Sequence, residues 1–99
     1  MILVRDIFQL KFGKAKEAAA LLKEGFPIIK KGGYFPERIL TDFTGDFYTL
    51  IMESKFKDLA EYEKGLKGNL QLPEWKKWYD RFVPLVQSGR REMLTIVEL

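Results

Sequence analysis

The sequence contains no cysteine and no histidine. The first absence excludes disulfides, thiolate metal sites and cysteine nucleophiles. The second excludes His-ligated haem, His-ligated zinc and any histidine general base. Side-chain amides are scarce, confined to Gln9, Asn69, Gln71 and Gln87, whereas Lys and Glu are abundant. With cysteine missing, that balance leans towards a thermophilic source. No apolar run approaches the roughly 20 residues needed to span a membrane. Met1-Ile2-Leu3-Val4 is followed at once by Arg5-Asp6, which is not the pattern of a signal peptide. The expectation is a soluble, cytoplasmic protein without a membrane partner.

What is present is apolar side chain: 46% of the 99 residues are hydrophobic, against a mild net charge of +3. The length fits one domain spanning residues 1–99. The hydrophobic content is high enough to leave surface for a partner subunit. The stretch Leu72–Val86, LPEWKKWYDRFVPLV, organises the rest. Trp75, Trp78, Tyr79, Phe82, Leu85 and Val86 recur three and four apart, on one face of a helix, with Lys76, Lys77, Asp80 and Arg81 opposite. Pro73 fits the first turn, and Glu74 suits the positive end of the helix dipole. Such a face must lie on something broad and apolar, which the remaining chain supplies as strands.

Ile2–Phe12 reads as a strand covered on both faces, since apolar residues fall on both parities. Lys14–Lys31 reads as a helix that Pro27 should kink or split near Gly25, with Gly32-Gly33 as its stop. Tyr34–Thr44 and Phe47–Phe56 read as a hairpin turning at Thr44-Gly45-Asp46, with Pro36 marking the first of them as a sheet edge. Lys57–Leu66 reads as a shorter helix, with Leu59, Tyr62 and Leu66 inward, broken by Gly65, Gly68 and Asn69. The Trp-rich helix follows, closed by Gly89, and Glu92–Glu98 is the last strand. The order predicts an α+β fold: ferredoxin-like βαββαβ, with a four-stranded antiparallel sheet.

In that fold the helices cover one face of the sheet. Parity assigns Val4, Phe8, Leu10, Ile39, Phe43, Tyr48, Leu50, Met52, Leu94 and Ile96 to the helix side. The open face receives Leu3, Ile7, Leu40, Ile51, Met93 and Val97, with Arg5, Arg38, Asp42 and Glu53 balanced in sign. That is too much aliphatic surface to leave wet. The expected partner is a second copy of the chain, packed sheet to sheet, with further assembly of dimers left open. Nucleic acid is not expected. RNA-binding domains of this topology carry stacking aromatics on the open face and a basic-Gly-aromatic motif on the third strand. Here that strand reads Phe47-Tyr48-Thr49-Leu50-Ile51-Met52-Glu53.

The residues resemble a known family at this point. Leu10-Lys11-Phe12-Gly13-Lys14 is similar to the start of NIPSNAP-like domains, although Phe12 stands where that family usually has Pro. Phe26-Pro27-Ile28 and Gly32-Gly33 resemble the middle and exit of their first helix. Pro73-Glu74-Trp75 with Pro84-Leu85-Val86 resembles their most specific segment. The resemblance implies the dimeric α+β barrel, in which two ferredoxin-like chains join their sheets. It implies no single activity: the superfamily mixes cofactor-free monooxygenases, haem-degrading enzymes, isomerases and binding proteins. The missing histidine counts against the haem-degrading branch.

Asp6 is the candidate catalytic residue. By parity it lies on the helix side between Val4 and Phe8, where a carboxylate is costly unless it is hydrogen-bonded or faces a cavity. One reading makes it a general base or ligand anchor in a pocket lined by Tyr48, Trp75 and Tyr79. The other turns it outward on a bulge, or pairs it with Arg90 or Arg91 on the last strand, leaving the aromatic residues as core. No cofactor or metal is expected. The glycine pairs lack the strand-to-helix context of a phosphate loop, and Asp42, Asp46 and Glu53 lack metal-loop spacing. Two functions remain open: a small-molecule binder or cofactor-independent enzyme (monooxygenase- or isomerase-like) for an apolar or aromatic ligand, and a non-catalytic homo-oligomeric interaction module.

Overall fold

Alternation along the first strand places Val4, Asp6 and Leu10 in the interior of a computed structural model that describes residues 1–99. The elements run β1 (Ile2–Leu10), α1 (Ala15–Gly32), β2 (Arg38–Thr41), β3 (Thr49–Phe56), α2 (Leu59–Leu70), α3 (Pro73–Phe82), a 3-10 turn (Val83–Leu85) and β4 (Val86–Thr95). The strands form one antiparallel sheet in the order β2-β3-β1-β4, the expected ferredoxin-like arrangement. Helices cover one face. Leu10, Leu22, Leu50, Trp78, Phe82 and Leu85 anchor the main core between sheet and helices. No helix is long and apolar enough to cross a membrane.

Several boundaries differ from those read in the sequence, each for a local reason. α1 continues through Pro27. Gly25 lies beneath the Trp78 indole and Ile29 is in the core, so packing on both sides of the proline holds the axis across the missing hydrogen bond. The β2–β3 ladder is shorter than the predicted hairpin. Pro36 offers no N–H, and the Asp42 carboxylate takes the Thr49 N–H at 3.0 Å, closing the ladder at that end. Phe43, expected inward, is fully exposed in the loop beyond. α2 is not broken at Gly65 or Gly68 but runs to Leu70. It starts at Asp58, whose carboxylate accepts from the Glu61 N–H at 2.9 Å, while the Glu61 carboxylate accepts from the Lys57 N–H. Leu59, also expected inward, is exposed.

The largest difference concerns the last strand. Gly89 does not end a helix; it sits in β4 opposite Phe8, and β4 begins at Val86 rather than Glu92. Directly opposed residues of an antiparallel pair share a face. Met93, opposite Val4, is therefore on the helix side, and Leu94, opposite Leu3, is on the open face, the reverse of the predicted parity. Ile96 lies beyond β4, beside Leu3 and Arg38 on the open face. Leu3, Ile7, Leu40 and Ile51 occupy that face as expected. Glu53, buried among them, is held by Arg38 at 2.5 Å and by Arg5 at 3.1 Å.

The two glycines expected to break α2 instead let it touch α1. A Cβ on Gly65 would lie 2.7 Å from the Gly33 carbonyl oxygen, and one on Gly68 only 2.0 Å from that of Gly32. Helix propensity alone favours Ala over Gly by about 1 kcal/mol. Gly68→Ala is nevertheless expected to destabilise the protein by about 1–3 kcal/mol, as overpacking against backbone that cannot yield. Urea unfolding checks the sign; a stabilised variant would show that the helices are not in close contact.

Candidate functional site

β1 carries Asp6 onto the helix side of the sheet, 6% exposed. Its Oδ2 accepts from the Tyr34 hydroxyl at 2.8 Å, and its Oδ1 accepts from Arg91 Nε at 2.5 Å. The register of β4 sets Arg91 directly opposite Asp6. Arg91 also donates through Nη1 to the Tyr62 hydroxyl at 2.7 Å. Its guanidinium lies 5.5 Å from the Tyr34 ring centroid and 5.9 Å from that of Tyr62. Tyr34 follows the left-handed Gly33 that ends α1, and Tyr62 comes from α2.

Burial, reinforced by the charge and hydrogen bond of Asp6, pushes the Tyr34 phenol far above its ordinary value. Burial alone would pull the Arg91 guanidinium down. The hydrogen bond and charge of Asp6, with smaller contributions from Tyr34 and Tyr62, outweigh it and raise Arg91 instead. Asp6 thus accepts one hydrogen bond on each oxygen, and each oxygen keeps a second lone pair. As it stands, the carboxylate orients an arginine and a tyrosine. No three carboxylates converge to hold a metal ion.

Beside this cluster is a cavity of about 90 Å³, lined by Asp6, Tyr34, Trp75, Tyr79 and Arg91, with Trp78 and Phe82 behind them. It opens alongside a groove of about 450 Å³ between α3 and β4, and the two share Asp6, Phe8, Tyr79, Phe82 and Arg91. A sealed apolar cavity of roughly 150 Å³ accepts benzene, so a ring-sized molecule fits only where cavity and groove are used together.

The aromatic face of α3 divides in two. Trp78 is core, with its indole N–H donating to the Leu21 carbonyl at 2.6 Å and its ring stacked on Phe82 at 5.2 Å. Trp75 and Tyr79, stacked at 4.8 Å with 17° between planes, form the cavity wall. Of the residues proposed from sequence, Asp6, Trp75 and Tyr79 are brought together. Tyr48 is not: it stands at the start of β3, in the left-handed region (φ 60°), with its ring against Phe12 at 4.7 Å. The two readings of Asp6 coexist, for it lines a cavity and is also paired with Arg91. Tyr34 and Tyr62 were not identified as site residues. Tyr34 read as the first residue of the second strand, but that strand starts only at Arg38 and Tyr34 lies in the segment after α1; Tyr62 read as an ordinary inward position of α2.

No family model and no curated protein matches the sequence. Solved structures match its fold. An uncharacterised NIPSNAP-domain protein from Burkholderia xenovorans superposes with a TM-score of 0.92 at 16% identity, covering 98% of this chain and 95% of its own. A NIPSNAP-family protein from Agrobacterium tumefaciens gives 0.91 at 17% identity, over 98% and 93% of the two chains. A candidate antibiotic biosynthesis monooxygenase from Nitrosomonas europaea gives 0.74 at 11% identity, over 99% and 100%. At these identities the likeness is one of fold: the ferredoxin-like arrangement is the one that NIPSNAP-domain proteins adopt.

Tyr34 supplies a test of the cluster through pH. Its folded pKa is raised above the ordinary value of 10.0, so its contribution is fully present below that pH and is lost as pH rises further. Tyr34→Phe, which removes a hydrogen bond to a charged acceptor, is expected to cost about 1–3 kcal/mol near neutrality. The deficit relative to wild type should shrink by up to about 1.4 kcal/mol per unit above about pH 10. Urea unfolding of both proteins at about pH 8 and about pH 11 reads the difference. An unchanged deficit would mean that the buried phenol does not hold its proton.

Proposed function

We propose that the chain is a NIPSNAP-like protein whose site between sheet and helices takes up a small apolar or aromatic molecule. It does so either as a binding protein or as a cofactor-independent enzyme of the monooxygenase or isomerase kind. The observation that carries this reading is the aromatic-walled cavity that meets a groove, with a single satisfied ion pair, Asp6–Arg91, at the junction. Ligand sites are mostly apolar with a few fixed polar groups, and this is such a lining. The fold shared with a candidate antibiotic biosynthesis monooxygenase is in keeping with the enzyme alternative. The reading carries with it a cytoplasmic location and, from the amide-poor composition, a thermophilic source.

A second reading, a homo-oligomeric module without catalysis, is favoured by the open sheet face. Leu3, Ile7, Leu40, Ile51 and Leu94 lie there with Arg5, Arg38, Glu53 and Glu92. Both signs of charge on one patch suit an isologous contact, in which the same surface meets itself. The partner in either reading is a second copy of the chain.

A thermal-shift screen of aromatic, quinone-like and acyl compounds is expected to find some that raise the melting temperature. A ligand at a hundred times its Kd adds about 2.7 kcal/mol. Trp75→Ala should abolish the response and cost less stability than the core truncation Trp78→Ala, about 3–5 kcal/mol. A response that survives Trp75→Ala would move the ligand elsewhere, and no response from any compound would leave the oligomeric reading. Light scattering at micromolar concentration is expected to give twice the 11.6 kDa of one chain. Ile51→Glu should halve that mass, whereas a single-chain mass for the wild type would sink the dimer.

A further inference from the structure

The charges around the site cancel. Asp6 and Arg91 are the charged side chains of the cavity wall, and they pair with each other. Arg90, at the groove's edge, stands opposite Ile7 and so faces the open side of the sheet, where its Nη1 is held by Glu92 at 2.5 Å. An ionised ligand buried there would find no uncommitted counter-charge, and burying an unpaired charge is far costlier than burying a dipole.

Arg91 nevertheless keeps donors to offer. Of its five N–H bonds, those on Nε and Nη1 serve Asp6 and Tyr62, while Nη2 has no protein partner. The side chain is 40% exposed and lines cavity and groove alike. Its plane is fixed by two hydrogen bonds and two tyrosine rings, so little further freedom is lost when it binds something.

The groove itself is lined by aromatic side chains. Gly89 lies in the middle of β4 opposite Phe8, where a Cβ would come within 2.9 Å of the Phe8 ring, so that ring takes the place of a side chain and forms the groove's floor. Tyr79, stacked on Trp75 of the cavity wall, lines the groove beside Phe82, which meets Phe8 edge-to-face at 5.1 Å.

We infer that the ligand is a neutral, flat, largely apolar molecule bearing a carbonyl-type oxygen, which accepts a hydrogen bond from Arg91 Nη2 while its apolar body lies against Phe8 and Tyr79 between α3 and β4. The inference rests on the small-molecule reading above and adds the polar handle, the charge state and the residue that selects them.

Three probes of nearly equal shape separate the possibilities: acetylnaphthalene (a neutral carbonyl), isopropylnaphthalene (no acceptor) and naphthoate (an anion). Each is titrated into the wild type and followed by tryptophan fluorescence and calorimetry. Acetylnaphthalene is expected to bind at least about tenfold more tightly than the other two, the scale of one hydrogen bond to a charged group. Arg91→Lys keeps a cation beside Asp6 but loses Nη2. It should erase the preference for acetylnaphthalene, read as the ratio of its affinity to that of isopropylnaphthalene for the same variant. The wild-type ranking is decisive even if that variant folds poorly. Equal binding of the ketone and the hydrocarbon overturns the inference and leaves the apolar site standing. Tightest binding of naphthoate overturns the neutral ligand in favour of an anion site. Failure of all three to bind overturns the small-molecule reading itself, and the inference with it.

Discussion

A carboxylate buried on the helix-facing side of a central strand has to be answered by donors, and the answer to Asp6 draws in every layer of the fold. Tyr34 reaches it from the segment after α1, Arg91 from β4, and Tyr62 from α2 supports Arg91 in turn. Replacing a whole buried polar cluster with apolar groups is often neutral, whereas removing one member leaves an uncompensated charge. The cluster is thus better understood as fixing register than as adding stability. Because Arg91 must stand opposite Asp6, Met93 is directed to the helix side and Leu94 to the open face. A slip of one residue in β4 would exchange those faces and strand the carboxylate.

The helices are set by contact at very short range. Gly32 and Gly33 of the α1 terminus meet Gly68 and Gly65 of α2, backbone to backbone. Trp78 of α3 lies over Gly25 and is tethered to the Leu21 carbonyl. One tryptophan therefore belongs to the scaffold and its neighbour one turn earlier to the cavity, although both occupy the same amphipathic stripe.

The order of elements, the single sheet and the aromatic anchor helix were legible because each rests on periodicity over many residues. The misreadings cluster at glycine and at element ends. Gly65, Gly68 and Gly89 look like stops when only the chain is in view, since a missing side chain signals either freedom or close approach, and only the neighbouring element tells which. Pro27 looks like a break because the packing that holds α1 straight is tertiary. The faces of β4 were inverted because its true start at Val86 follows a 3-10 turn that carries no periodic signature. At the site, parity alone singled out Asp6, and Arg91 entered as its alternative partner. Tyr34 was invisible because its place depends on a left-handed glycine and a long-range hydrogen bond.

The glycine seams between helices also leave the cavity with two unlike sides. α1 and α2 meet backbone to backbone at their glycines, with the Asn69 side chain filling the space beside Gly32, and Trp78 ties α3 to α1. β4 is different: it forms an outer edge of the sheet, and its only ladder partner is β1. The cavity therefore has one jaw made of three helices and another made of a single edge strand, and its groove runs along that strand.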